Sequence, residues 1–317
     1  MDVVGIDIPV VDFLVSVDKI PQTNSMAHLD DLSWQGGGKV STAFAALGRL
    51  DVETGMIAVL GDDHLGRFCI EDFRRHNVDT SNIIVEPGRT STFCICLAES
   101  ETQGRSIIAR MGTCRRLSVD DLNRDYIVSA KVLHLSHMCP ASRQAAIWAR
   151  EAGMKVVFDA DYFHPEVIDN LELIDVFIAS EFFYKSMYSS GSPEENFRHI
   201  SSRGPEAVVV TLGEKGCMGL GDGIFFKTPA FKVKVVDTTG AGDVFHGAYI
   251  YGMLKGWSPE EAVRFSSAVS AIKCTRIGGR AGIPDLKTVK RFLEDGFIDY
   301  SDIDRRVEFY REQPWAK

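Results

Sequence analysis

Asp237-Thr238-Thr239-Gly240-Ala241-Gly242-Asp243 runs straight into an apolar, helix-patterned stretch from Val244 to Lys255 that closes at Gly256. Small residues at 240–242 let a ligand approach the backbone with no Cβ in the way. Amides that open a helix point outward without partners, and the helix dipole adds partial positive charge there. Such an arrangement binds phosphate oxygens. Asp243 stands at the helix start, facing the position a transferring phosphoryl group would take, where a carboxylate can accept the proton of an attacking hydroxyl. Phosphoryl transfer asks for little beyond positioning and charge stabilisation, so a base and an anion hole are sufficient equipment. Read in isolation, Gly-Ala-Gly-Asp is as readily a helix start with Asp as its N-cap.

Working outward, short apolar runs at Val3–Ile8, Met56–Leu60, Val132–Leu135, Val156–Phe158, Val176–Ala179 and Val208–Leu212 alternate with helical patterns such as Lys39–Leu50 and Phe68–Asn77. Alternation of this kind predicts an α/β fold with a mainly parallel sheet covered on both faces by helices. Two regions break the rhythm. Asp12 to Trp34 reads as strands and turns, and Thr90 to Met111 as a hairpin: Thr92–Ala98, a turn at Glu99–Gly104, then Ser106–Arg110. Together they predict a small second sheet usable as a lid. The expected division is therefore 1–11, 35–89 and 112–317 as a large α/β domain, with 12–34 and 90–111 as the lid. The charged, aromatic stretch from Phe297 onward is expected as an exposed terminal helix or tail.

Composition narrows the partners. The chain has 317 residues and a formal net charge of −9 with no basic block, which argues against nucleic acid or an anionic membrane surface. Any phosphate site must then be a local device of amides and a few Lys or Arg. No stretch of about 18 uncharged apolar residues predicts a membrane span. The N-terminus lacks the basic start of a secretion signal. Seven cysteines without metal-ligand spacing fit a reducing, cytoplasmic compartment. Cys94 and Cys96, two apart, share one face of a strand and read as packing residues. Neither the Walker-type phosphate loop nor a Gly-x-Gly-x-x-Gly after the first strand is present.

The full string 237–243 resembles the signature of the ribokinase-like (PfkB) carbohydrate kinases, and the likeness covers nearly the whole chain. Gly36-Gly37-Gly38, with Leu47-Gly48-Arg49-Leu50, resembles the N-terminal signature of that family. Gly61-Asp62-Asp63-His64-Leu65-Gly66, followed by Asn77-Val78-Asp79-Thr80, is similar to its stretch after the second large-domain strand. Thr211-Leu212-Gly213-Glu214-Lys215-Gly216 is similar to its strand-to-loop segment at the nucleotide. Within the family, Pro229 to Asp285, with Lys273-Cys274-Thr275-Arg276 to Gly282-Ile283-Pro284, most resembles the 6-deoxy-6-sulfofructose kinase branch.

The resemblance implies a three-layer sandwich with a β-sheet lid and ATP-dependent phosphorylation of a sugar hydroxyl. It implies Asp243 as base, with Gly240, Ala241 and Gly242 as anion hole. Asp12 would accept sugar hydroxyls, with Gly37, Gly38 and Lys39 beside the sugar. Thr211, Gly213 and Gly216 would line the nucleotide. Asp237 and Thr239, with carbonyls near Lys273, Arg276 and Gly278, would form a loop for a monovalent cation such as K+. Mg2+ is expected with ATP, held mostly by phosphates and water. A homodimer through the lid is expected.

The chain departs from the family at several polar positions. Thr42 stands where an Asn usually contacts the sugar. Ser180-Glu181-Phe182-Phe183 replaces an Asn-x-x-Glu near phosphates and metal, leaving Ser180 and Glu181 as the polar remnant. His246 stands where Asn is commoner. Met26, Arg110 and Met138 occupy positions where the sulfofructose branch places polar clamp residues, so an uncharged or differently charged keto- or aldose sugar is as good a candidate. Arg105 and Arg110 are candidates for an anionic substituent, and His28 or His137 for the sugar. Two other readings stay open: a nucleoside kinase stacking its base on Phe13, Trp34 or Phe93, and a non-catalytic sugar sensor.

Overall fold

The computed structural model describes residues 1–99, 101 and 104–312. The strands are β1 Val3–Ile6, β2 Val10–Val17, β3 Asp31–Gly37, β4 Thr54–Gly61, β5 Val78–Glu86, β6 Thr92–Glu99, β7 Arg105–Arg110, β8 Val132–Leu135, β9 Lys155–Ala160, β10 Val176–Ser180, β11 Ala207–Thr211, β12 Cys217–Gly221 and β13 Ile224–Thr228. Nine of them form one sheet in the order β13-β12-β11-β10-β9-β8-β1-β4-β5. From β5 to β11 every neighbouring pair is parallel; β12 then runs antiparallel to β11, and β13 antiparallel to β12.

Strands covered on both faces must be apolar throughout, and these are. Val3 packs into one core with Phe44, Phe68, Val244, Ala262, Val289 and Ile303, from the helices Lys39–Arg49, His64–Arg75, Ala241–Leu254, Pro259–Lys273, Leu286–Asp295 and Ser301–Arg311. Its neighbour Val4 packs into the other core with Ala145, Phe183 and Phe197, from helices Pro140–Glu151, Glu181–Met187 and Pro193–Ser201. The three-layer α/β reading holds.

The remaining strands form a second sheet in the order β3-β2-β6-β7. It is mixed: β2 pairs with β3 antiparallel and with β6 parallel, and β6 with β7 antiparallel. The expected turn at 99–104 lies in part outside the described residues, as does the end of the tail beyond 312. Cys94 and Cys96 share a face as expected, packing with Leu14 and Ile277, and all seven cysteines are free thiols. Among the described residues no helix is long and apolar enough to cross a membrane.

Candidate active site

Parallel strands direct all their C-terminal ends to one edge of the sheet, and that edge is where open α/β sheets bind ligands. Here it carries Asp7 after β1, His137 after β8, Asp159 and Asp161 at the end of β9, Ser180 ending β10 and Thr211 ending β11. The loop into the helix Ala241–Leu254 arrives at the same edge. Gly240 adopts φ 73°, a left-handed turn that starts this helix with no side-chain cap. A Cβ at Gly240 would lie 2.7 Å from the Cα of Gly279, so both the turn and the packing demand glycine.

The amide of Ala241 donates back to the carbonyl of Thr238 at 3.1 Å. The Ala241 amide is therefore spent within the turn. Space beside Gly242 is open.

Asp243 sits in the first helical turn among an excess of acid. Burial pushes its carboxyl well above the usual carboxylate range, and the negative charges of Asp159 and Asp7 push the same way. Lys39 and Arg105 oppose them. Lys39 reaches this cluster from the helix that opens after Gly38, placing its Nζ 3.4 Å from Asp161 Oδ2 and 5.7 Å from the Tyr162 ring centroid. Asp159 is also raised by burial and lies 3.6 Å from His246 Nε2. His246 is buried against the stacked ring of His134, so it packs.

Asp12 lies in β2, 8% exposed, and burial pushes its carboxyl up to about 6. Gly37 on the neighbouring β3 lies against it: a Cβ there would come 2.2 Å from Asp12 Oδ2. Gly38 turns the chain into the helix next to Asp7, whose Oδ2 accepts the Ser41 amide at 2.8 Å and the Ser41 hydroxyl at 2.7 Å.

Several expected site residues do other work. Thr42 is 1% exposed, with its methyl toward Gly240 and Gly279, so it packs the helix Lys39–Arg49 behind that turn. Ser180 caps its helix, accepting the Phe183 amide at 3.1 Å and donating to the Asp161 carbonyl at 2.6 Å. Glu181 is held by Lys185 at 2.8 Å and Lys215 at 3.7 Å. It therefore ties the end of β10 to the turn Gly213–Lys215, with Thr211 and Gly216 flanking that turn. Arg110 ends β7 on the exposed face, whereas Arg105 reaches across and donates to the Thr238 carbonyl at 2.6 Å. Met26 is 81% exposed, and His137 lines a cavity of about 530 Å³ with Asp7, Thr92 and Met111. Phe13 sits edge-on to both Trp34 at 3.9 Å and Phe93 at 5.2 Å between ring centroids, so the three rings pack as a cluster.

In the loop offered to a monovalent cation, Asp237 Oδ1 accepts the Thr239 amide and hydroxyl at 2.8 Å each, and Oδ2 accepts the Gly278 amide at 2.7 Å. The carbonyls of Asp237 and Thr239 both accept from Lys273 Nζ. Arg276 turns away, bonding Asp304 at 2.7 Å. Among the described residues no cluster of three His, Cys, Asp or Glu side chains could cage a metal.

Asp7, Asp159 and Asp161 were missed in the sequence. Their signal was an acid closing an apolar strand run, Val3–Ile6 before Asp7 and Val156–Phe158 before Asp159, at the sheet edge that binds ligands.

The pattern of the pfkB family carbohydrate kinases matches residues 1–286. A ribokinase of Lactococcus lactis is 25% identical over 90% of this chain and 94% of its own length. A 5-dehydro-2-deoxygluconokinase of Shouchella clausii is 29% identical over 83% and 87% respectively. The crystal structure of a putative ribokinase II from E. coli in complex with ATP and Mg2+ superposes with a TM-score of 0.80 at 23% identity, over 92% of this chain and 99% of that one.

Proposed function

The chain belongs to the pfkB family and is a carbohydrate kinase, and from that premise we propose that it transfers the γ-phosphoryl group of ATP to a hydroxyl of a small sugar or sugar acid, with Asp243 as the base. The observation that carries the reading is a helix start at Gly240 without a side-chain cap, set beside the Asp243 carboxyl that burial and the charge of Asp159 raise. A carboxylate destabilised in this way takes a proton readily, which is what a base must do as the attacking oxygen develops charge.

The sugar lies between the two sheets, with its hydroxyls on Asp12 and its ring against the backbone of Gly37 and Gly38. ATP runs over Thr211, Gly213 and Gly216 with its terminal phosphate on the amides at the helix start. Lys39 neutralises charge between the sugar and the transferred group. Mg2+ arriving with ATP and held mostly by phosphates and water would neutralise phosphate charge there. The second sheet acts as a lid, and Arg105 latches it to the loop at Thr238, excluding water that would compete with the sugar. The exposed Ile107 and Ile108 of its edge strand β7 would be covered in a homodimer, which light scattering tests.

A nucleoside kinase would stack its base on Phe13, Trp34 or Phe93, which here pack edge-on among themselves and stay half-buried. The test is ADP release with ATP and Mg2+ across ribose, fructose, 5-dehydro-2-deoxygluconate, 6-deoxy-6-sulfofructose and adenosine, with the phosphorylated product identified. Turnover on a sugar supports the proposal. Preference for adenosine, or sugar binding with no ADP release, refutes it.

A further inference from the structure

Lys273 is 0% exposed, on the last turn of the helix Pro259–Lys273, and its ammonium bonds the carbonyls of Asp237 and Thr239, the former at 2.9 Å. These carbonyls belong to the loop that immediately precedes the anion-binding turn at Gly240. We propose that Lys273 is a built-in replacement for the monovalent cation that this loop would otherwise hold, so that the enzyme works without K+.

Three observations carry this. An ammonium and K+ have similar size and equal charge, and a carbonyl pair that receives N–H from one has no room for the other. The carboxylate of Asp237 is spent on Thr239 and Gly278, which fixes the loop around the lysine. Finally, the charge is well placed. It lies at the C-terminal end of one helix, where the dipole favours a cation, and behind the N-terminal end of Ala241–Leu254, where it adds to the positive potential of the anion hole. Lys273 touches neither substrate nor phosphate; it acts as a positioning residue through the 237–240 turn.

The functional consequence rests on the kinase reading, but the occupancy of the loop does not, and the test separates the two. Crystals of the wild-type protein soaked in Tl+, a K+ mimic with strong anomalous scattering, are expected to show no peak at the Asp237 and Thr239 carbonyls. A peak there overturns the proposal whatever the protein catalyses. In turnover assays at constant ionic strength, replacing tetramethylammonium by K+ should change the wild-type rate by less than about twofold, since both salts screen alike. Stimulation of the wild type by roughly tenfold or more would also overturn it, because ionic screening cannot distinguish the two salts. The Lys273→Ala variant, checked for folding by its circular dichroism, should lose activity and regain part of it with K+ or methylammonium. A folded variant equally inactive in every salt would argue against an interchangeable cation. Absence of sugar-dependent ADP release in every salt would sink the kinase assignment and leave the Tl+ map to decide this one.

Discussion

Four buried or half-buried aspartates divide into two pairs with opposite fates. Asp72 and Asp237 are each matched to a buried cation. Burial pushes the Asp72 carboxyl up, but the charge of Arg280 and the hydroxyl of Tyr310 at 2.6 Å bring it below the usual carboxylate range. Asp237 is treated alike by burial, by Lys273 and by the amides of Thr239 and Gly278. Asp12 feels Arg280, and Asp243 feels Lys39 and Arg105, but burial outweighs these charges and both carboxyls are raised, Asp12 to about 6. The first pair ties loops and the C-terminal helix to the core. The second pair belongs to the proposed site, Asp12 on β2 and Asp243 in the first turn of the helix Ala241–Leu254. Burying a charge without a matched partner costs stability, and a fold keeps such groups where chemistry uses them.

The comparison breaks most visibly if the working pair is made unreactive. Asp243→Asn keeps the shape and the amides but cannot take a proton. We expect kcat to fall about 10²-fold or more, the range for a lost general base, while isothermal titration shows ATP and sugar still bound. Near-normal turnover would remove Asp243 from the role of base.

The structural pair answers to a different assay. Arg280 is 1% exposed, bonds Asp72, donates to the Gly37 carbonyl at 3.0 Å, and its own amide reaches Gln35 Oε1 at 2.8 Å. Arg280→Met strands the Asp72 carboxylate, and a broken buried pair costs about 3–5 kcal/mol. Urea denaturation should show that loss, together with weaker sugar binding, because Arg280 also lowers the Asp12 carboxyl. A variant as stable as the wild type would mean that Asp72 finds another partner.

How much of this was legible beforehand differs between backbone and side chains. The chain announced its parallel strands and the glycine turn that opens the helix at Ala241, because apolar runs and small residues before a helix each carry a direct physical signature. β5 was passed over because it is an edge strand with Asp79, Ser81 and Asn82 among its residues. The β12–β13 hairpin was hidden by glycines at 216, 219, 221 and 223. Thr42 and Ser180 were assigned to ligands because position along the chain does not reveal which way a side chain faces. Lys273 was named for its carbonyl, whereas its side chain proved to be the group in the loop; a lysine stem is long enough to reach where sequence spacing does not point.

Smaller effects sharpen the contrast through pH. Because the Asp243 carboxyl is raised, its base form is lost on acidification earlier than an ordinary aspartate would lose it. The acid limb of kcat should therefore lie above the usual carboxylate range. Lys39 opposes the rise, so Lys39→Met should move that limb to still higher pH. A limb that moves down would contradict the charge arrangement.

The least of the expected changes concerns stability at Asp12. Its folded carboxyl, at about 6, binds a proton more tightly than an unfolded one, so its contribution favours the fold at low pH and is lost as pH rises through about 6. Asp12→Asn should thus raise Tm by a few degrees at mildly alkaline pH, with the gain fading below that range, while sugar binding is lost. A lower Tm at alkaline pH would show that Asp12 has a partner that offsets its burial.

The most direct test is a crystal structure with a non-hydrolysable ATP analogue, Mg2+ and the sugar that gives turnover. The account predicts the terminal phosphate on the amides of Gly242 and Asp243 and a sugar hydroxyl on the Asp243 carboxylate, in line with that phosphate. A terminal phosphate bound away from this turn, or a sugar whose hydroxyls never meet Asp243, would contradict it.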